Sequence, residues 1–177
     1  FLKMKHKNKF LIRVDGSKEI GLGHVYNMLT FLNNIKNEEI LIVMNSKSNL
    51  GSNKFRKYGY KLKLISNNND LIRIIRNFNP DVICNDILNT NLEYMKILKN
   101  NDCVIVNFED LGEGRKLADL VFNPIYYTKN KFKNEFYGEQ FACVREEFRI
   151  KKRNRIRKKV KKIVITFGGT DPTNKTQ

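Results

Sequence analysis

The residues able to do chemistry in this chain fall just after apolar runs. Asp15 follows Lys9 to Val14, Asp86 follows the run opening at Asp81, and Glu109 with Asp110 close the run from Asp102 to Phe108. Between the first two lies DGSKEIGLGHVYN, Asp15 to Asn27. Gly21 and Gly23 let the backbone turn tightly and approach a ligand, and they leave N–H groups at a helix start for an anion. The spacing is not the dinucleotide fingerprint, whose third glycine would fall at Tyr26, and no Gly-Lys-Ser/Thr of a P-loop follows. His24 belongs to the first helical turn, where the positive end of the helix dipole disfavours imidazolium. A neutral imidazole there can take a proton from water or donate a hydrogen bond. The competing reading is a helix-capping histidine.

The carboxylates carry similar alternatives. Asp86, Glu109 and Asp110 are planar acceptors suited to sugar hydroxyls, and their oxygens are also of the kind magnesium takes. Turn and cap work explains such residues at strand ends, so no metal and no cofactor is expected. With His24 and His6 the only histidines, a multi-histidine metal site is not available. Cys84, Cys103 and Cys143 form no CxxC pair, and Cys84 and Cys103 sit in apolar runs as buried filler.

What must position these groups is an alternation of strand and helix. Lys9 to Val14, Glu39 to Met44, Tyr60 to Ile65, Asp81 to Cys84, Asp102 to Phe108 and Asp119 to Phe122 read as strands. Gly23 to Ile35, Asn68 to Phe78 and Thr90 to Leu98 read as helices. Val/Ile-rich strands with helices between them predict an α/β domain, a doubly wound, Rossmann-like parallel sheet over residues 1–128. In such sheets ligands bind outside the carboxyl ends of the strands, which brings Asp15, His24, Asp86, Glu109 and Asp110 to one edge. A basic linker or helical segment is expected at 129–161. At 162–177, Lys162 to Phe167 reads as a strand running into Gly168-Gly169-Thr170-Asp171-Pro172, the opening of a second, truncated α/β unit.

Composition narrows the classes of function. The chain has 177 residues, 41% hydrophobic and 29% charged, enough to bury a core, and its apolar runs are far too short to span a membrane. Unpaired cysteines fit a reducing, cytoplasmic setting. Of the net charge of +16, ten basic side chains lie at 149–162 without an acid, which leaves +6 for the rest. Such a stripe suits nucleic acid, a sugar nucleotide or a membrane surface. Nucleic acid is not expected, because no aromatic interleaves the stripe between Phe148 and Phe167 and the 24 asparagines point to a bias that also inflates lysine.

The ordered motifs also resemble a family. Arg13-Val14-Asp15, Ile20-Gly21-Leu22-Gly23-His24, Asn107-Phe108-Glu109-Asp110-Leu111, Ala118 to Pro124 and Phe167 to Pro172 look like those of the UDP-sugar hydrolases of the pseudaminic acid pathway and their spore-coat polysaccharide relatives. The resemblance runs from Phe10 to Thr176. It implies the amino-terminal half of a glycosyltransferase-B fold, with a carboxyl-terminal nucleotide-binding domain completing the cleft. It implies hydrolysis of a UDP-activated amino sugar at the anomeric C–O bond, without a metal. By the same resemblance His24 is the catalytic group and Asp15 holds the sugar or the histidine. Gly21, Gly23, Asn27, Asp86, Glu109 and Asp110 would contact substrate. Asn27 stands where the family carries arginine. Gly168, Gly169 and Thr170 would meet the diphosphate, and a fused or associated CMP-sugar synthetase is a further implied partner. A glycosyltransferase of the same fold, or a module that binds sugar nucleotide or RNA without catalysis, is the alternative.

Overall fold

The computed structural model describes residues 7–150, 158–165 and 175. Strand β1, Lys9–Val14, is the centre from which the chain winds in both directions. It goes first through helix α1 (Gly23–Leu32), β2 (Glu39–Asn45), α2 (Asn49–Lys57) and β3 (Lys61–Ile65). It then crosses back through α3 (Asn68–Phe78) to β4 (Val82–Asp86), and continues by α4 (Leu92–Lys99), β5 (Val104–Phe108), β6 (Leu120–Asn123) and β7 (Glu135–Tyr137). A short helix α5, Glu146–Ile150, follows. The sheet order is β3-β2-β1-β4-β5-β6-β7, and every neighbouring pair is parallel. The chain is therefore an α/β, Rossmann-like domain whose winding reverses between β1 and β4.

Alternation along the strands explains why both faces are covered. Leu11, Leu41, Val43, Ile83 and Ile105 point to one side and pack with Leu71, Ile75, Met95 and Leu98 of α3 and α4. Ile12, Val14, Ile42, Met44 and Val106 point to the other and pack with Val25, Met28 and Leu32 of α1 and Phe55 of α2. At roughly 1.5–3 kcal/mol for each fully buried large aliphatic, these two layers hold the rim that carries the polar residues.

Three elements differ from the sequence reading. Helix α2 has Phe55 as its one large buried residue, its other buried positions being Gly51 and Ser52, so it shows no apolar stripe. It packs through backbone contact: Gly51 N–H donates to the Gly16 carbonyl at 3.0 Å. The sheet also continues past residue 128, because β7 pairs with β6 inside the segment expected to be a linker. A three-residue edge strand is too short for alternation to reveal. Residues 162–165, the described part of the strand expected from Lys162 to Phe167, form none, and Ile163, Val164 and Ile165 are exposed. Phe167, Gly168, Gly169 and Thr170 lie outside the described residues.

Candidate active site

The reversal between β1 and β4 parts the loops that follow these two strands, and it sets His24 against Asp86. Asp86 is the last residue of β4 and fully buried; His24 is the second residue of α1. The imidazole Nδ1 lies 2.5 Å from Asp86 Oδ1. With the carboxylate on Nδ1, that nitrogen carries the proton and Nε2 is left as the basic lone pair. Nε2 makes no hydrogen bond among the described residues, and 12% of the side chain remains exposed. The second carboxylate oxygen, Asp86 Oδ2, is buried with no hydrogen-bond partner. Such an unsatisfied oxygen leaves the carboxylate charge undispersed beside the imidazole.

Burial alone would push the His24 pKa down, but the Asp86 hydrogen bond and charge, followed by the charges of Glu109 and Asp15, outweigh it and hold it above the ordinary value. The helix-dipole argument for a neutral imidazole is thus reversed by the facing carboxylates. Burial likewise pushes the Asp86 carboxyl up, to about 6, against the opposing pull of His24.

The approach to this pair is built by the glycine turn. Gly21 has φ of 86°, a left-handed conformation that glycine takes without strain, and its N–H donates to Ser17 O at 2.9 Å. Helix α1 then starts with no side-chain cap and no acid in its first turn. Helices α3 and α4, by contrast, are closed by the Asn67 and Asn91 side chains. The first N–H groups of α1 thus remain for a ligand oxygen. Gly23 lies in this first turn, exposed, and a Cβ there would meet nothing. Beside the turn is a hollow of about 580 Å³ bordered by Asp15, Ser17, Glu19, Ile20, Lys47 and Ser48. His24 stands at the switch point next to it, not on its wall.

The other expected residues separate into two kinds. Asn27 Nδ2 donates to Glu109 Oε1 at 3.1 Å, and Glu109 follows β5 with φ of 53°. A non-glycine residue held there costs of order 1 kcal/mol and is met most often at functional sites. Glu109 therefore stays with His24 at the rim.

Asp15 and Asp110 each accept several hydrogen bonds within the fold. Asp15 accepts from Arg13 at 2.7 Å, from the Asn45 N–H at 2.7 Å and from Ser48 Oγ at 3.0 Å, tying the ends of β1 and β2 together. The carboxylate on the imidazole is Asp86, because Asp86 ends the strand across the reversal. Asp110 is fully buried, and its oxygens accept from Thr90 N–H and hydroxyl, Asn107 Nδ2 and Gly112 N–H. It clamps the loop after β4 to the loop after β5.

Sequence reasoning missed the polar residues inside the strands. Asn85 Nδ2 donates to Asn107 Oδ1 at 2.8 Å, and the Tyr94 hydroxyl donates to Asn85 Oδ1 at 2.7 Å. This buried chain runs from α4 to Asp110 on the face of the sheet opposite Asp86. The signal was present as an asparagine near the end of each apolar run, Val82–Asp86 and Val104–Phe108. Among the described residues no group of histidine, cysteine and carboxylate side chains could hold a metal, and no helix is long and apolar enough to cross a membrane.

No protein-family model matches the chain. An uncharacterised protein of Methanocaldococcus jannaschii is 32% identical over 185 residues, which is 95% of this chain and 38% of that protein. Among solved structures, MurG of Acinetobacter baumannii is similar with a TM-score of 0.52 over 73% of this chain and 44% of MurG, at 8% identity. The chain thus spans less than half of the proteins it matches. Together with the seven parallel strands, the likeness to MurG gives the chain a glycosyltransferase-B-like, Rossmann-like fold.

Proposed function

We propose that this chain is the histidine-bearing half of an enzyme that hydrolyses a UDP-activated amino sugar, with a nucleotide-binding unit following residue 162. The observation that carries the reading is the His24–Asp86 pair at the sheet's reversal, where an α/β domain places its ligand. Neutral His24 takes a proton through Nε2 from a water that attacks the anomeric carbon. The anomeric C–O bond breaks, its electron pair leaves on UDP, and the imidazolium stays paired with Asp86 until the proton passes to solvent. Positive charge developing on the sugar ring faces Glu109, with the buried Asp86 charge behind His24. Oxygens of the leaving group face the uncapped start of α1 at Gly21 and Gly23. Gly168, Gly169 and Thr170 keep the diphosphate role given by the sequence resemblance. Asp15 and Asp110 act as positioning residues, and Asn27 positions Glu109.

The test is incubation of the protein, with its downstream unit, in ¹⁸O-water with a UDP-activated amino sugar. Proton NMR follows free sugar and UDP. Label on the sugar and none on UDP is the expected result, and His24→Ala should lose at least about a hundredfold in rate. Turnover only when a hydroxylated acceptor is added would assign sugar transfer instead. That second reading draws on the fold shared with MurG.

A further inference from the structure

On the face of the sheet away from α1, a second cleft of about 260 Å³ opens at the same carboxyl edge. Arg13, Asn45, Asn67, Asn89, Asn91 and Tyr94 are among its polar lining residues. No carboxylate lines it, and Arg13 is the one charged side chain among its described lining residues. Arg13 is more than nine-tenths buried. Its terminal nitrogens donate to Val14 O and to Asp15 behind it, while Nε is buried without a partner.

Four of the five lining asparagines are held in one sense. Each Oδ1 accepts a backbone N–H: Asn45 from Lys47 at 2.9 Å, Asn67 from Asp70 at 3.1 Å, Asn89 from Leu111 at 3.0 Å and Asn91 from Tyr94 at 2.8 Å. With the oxygens engaged, the Nδ2 groups are the free ends, and none of them donates to another described residue. Helices α3 and α4 both begin at this cleft, adding the positive ends of their dipoles. The cavity thus presents amide donors on a wall without a carboxylate, with the Arg13 guanidinium paired to Asp15 behind it. An oxyanion fits that lining better than a polyol, whose own hydroxyl hydrogens need acceptors.

We propose that this cleft is an oxyanion site that takes a phosphate group, either free or carried on a sugar phosphate. It goes beyond the hydrolysis reading and does not depend on His24. Asparagine-to-aspartate changes test it, since aspartate caps a helix as well as asparagine does. Asn67→Asp and Asn91→Asp keep the oxygen that closes each helix and replace the free donor with an anionic oxygen.

Titrations of the chain with inorganic phosphate and with N-acetylglucosamine 1-phosphate, at constant ionic strength, are read by calorimetry. Both variants should bind at least about tenfold more weakly, the loss of one charge-assisted hydrogen bond. Asn53→Asp on α2, which makes the same change of charge elsewhere, should bind like the parent. Thermal melts without ligand show whether the variants fold, and Asn89→Asp takes the place of any that does not. Tighter binding of the sugar phosphate assigns a substrate-borne group and equal binding a free anion, both within the proposal. Parent-like affinity in the variants, an equal loss in Asn53→Asp, or no saturable binding of either probe overturns it.

Discussion

Replacing Asp86 by asparagine separates orientation from charge at the candidate active site. The side chain keeps its size, and its oxygen can still accept from His24 Nδ1, so the buried position at the end of β4 need not open. What disappears is the negative charge, together with the unsatisfied buried oxygen Oδ2. A hydrogen bond to a charged group contributes about 1.5–3 kcal/mol, so an imidazolium that forms during turnover loses roughly 10- to 150-fold in rate. If the amide turns its NH₂ toward Nδ1, the proton must sit on Nε2 and the base is lost, which deepens the effect to about 10⁴. The His24 pKa must also fall, because burial, which lowers it, then faces only the charges of Glu109 and Asp15. A ¹⁵N-detected titration of the imidazole in the intact chain reads that shift without needing activity. Stability should move in the opposite sense. Both His24 and Asp86 bind protons more tightly folded than unfolded, so the parent loses stability as pH rises from about 4 through 6 and past the raised His24 pKa. Asp86→Asn should flatten that fall and melt higher at pH 8. An unchanged imidazole titration, with turnover within about threefold of the parent, would refute the reasoning.

Other expectations can be checked with purified variants. The acid limb of the rate profile should lie above the ordinary histidine value, since a general base must be deprotonated and His24 is held up by Asp86; a limb below it would remove His24 as the base. Asp110→Ala leaves Thr90, Asn107 and Gly112 donors unpaired in the interior and should cost about 3–5 kcal/mol by urea unfolding. Gly51→Ala places a Cβ 2.6 Å from Met44 Cε and 3.1 Å from the Gly16 carbonyl, and should cost about 1–3 kcal/mol by the same measurement. Glu109→Gly relieves the left-handed strain, so the melting point should hold or rise while turnover falls.

Much of this architecture is legible in the residues because the strands and α1 bury continuous apolar surface. Val25, Met28, Leu29 and Leu32 recur with helical spacing, and β1, β2, β4 and β5 are rich in Val, Ile and Leu. Helix α2 escapes that logic because it is held by a glycine contact and one phenylalanine. The distance between β2 and β3 nevertheless demands a crossover, since two parallel strands cannot be joined by a tight turn. At the site, the edge shared by Asp15, His24, Asp86, Glu109 and Asp110 follows from strand ends alone. Which carboxylate meets the imidazole does not, since that depends on β4 being the strand beside β1, a fact of sheet order that no local pattern encodes. For the same reason the helix dipole misleads about His24: it is a local effect, and the carboxylates that overrule it arrive from distant strands.

The carboxylates at this rim divide their work by how fully they are satisfied. Asp15 and Asp110 accept three and four hydrogen bonds respectively, and they fix loops. Asp86 has one partner, the imidazole, and an orphan oxygen; Glu109 has one amide contact and a strained backbone. A fold selected only for stability would satisfy or remove those last two, since an unpaired buried carboxylate oxygen and a left-handed glutamate both cost free energy. They can persist because the buried chain of Asn85, Asn107 and Tyr94, clamped by Asp110, leaves the loops after β4 and β5 no alternative arrangement. Loosening that clamp should therefore harm the rim first: a mild variant such as Tyr94→Phe, which removes the hydroxyl that donates to Asn85, should lower the His24 titration midpoint while costing no more than about 2 kcal/mol by urea unfolding. A midpoint that stays put while the fold weakens would show that the polar chain supports the sheet and not the site.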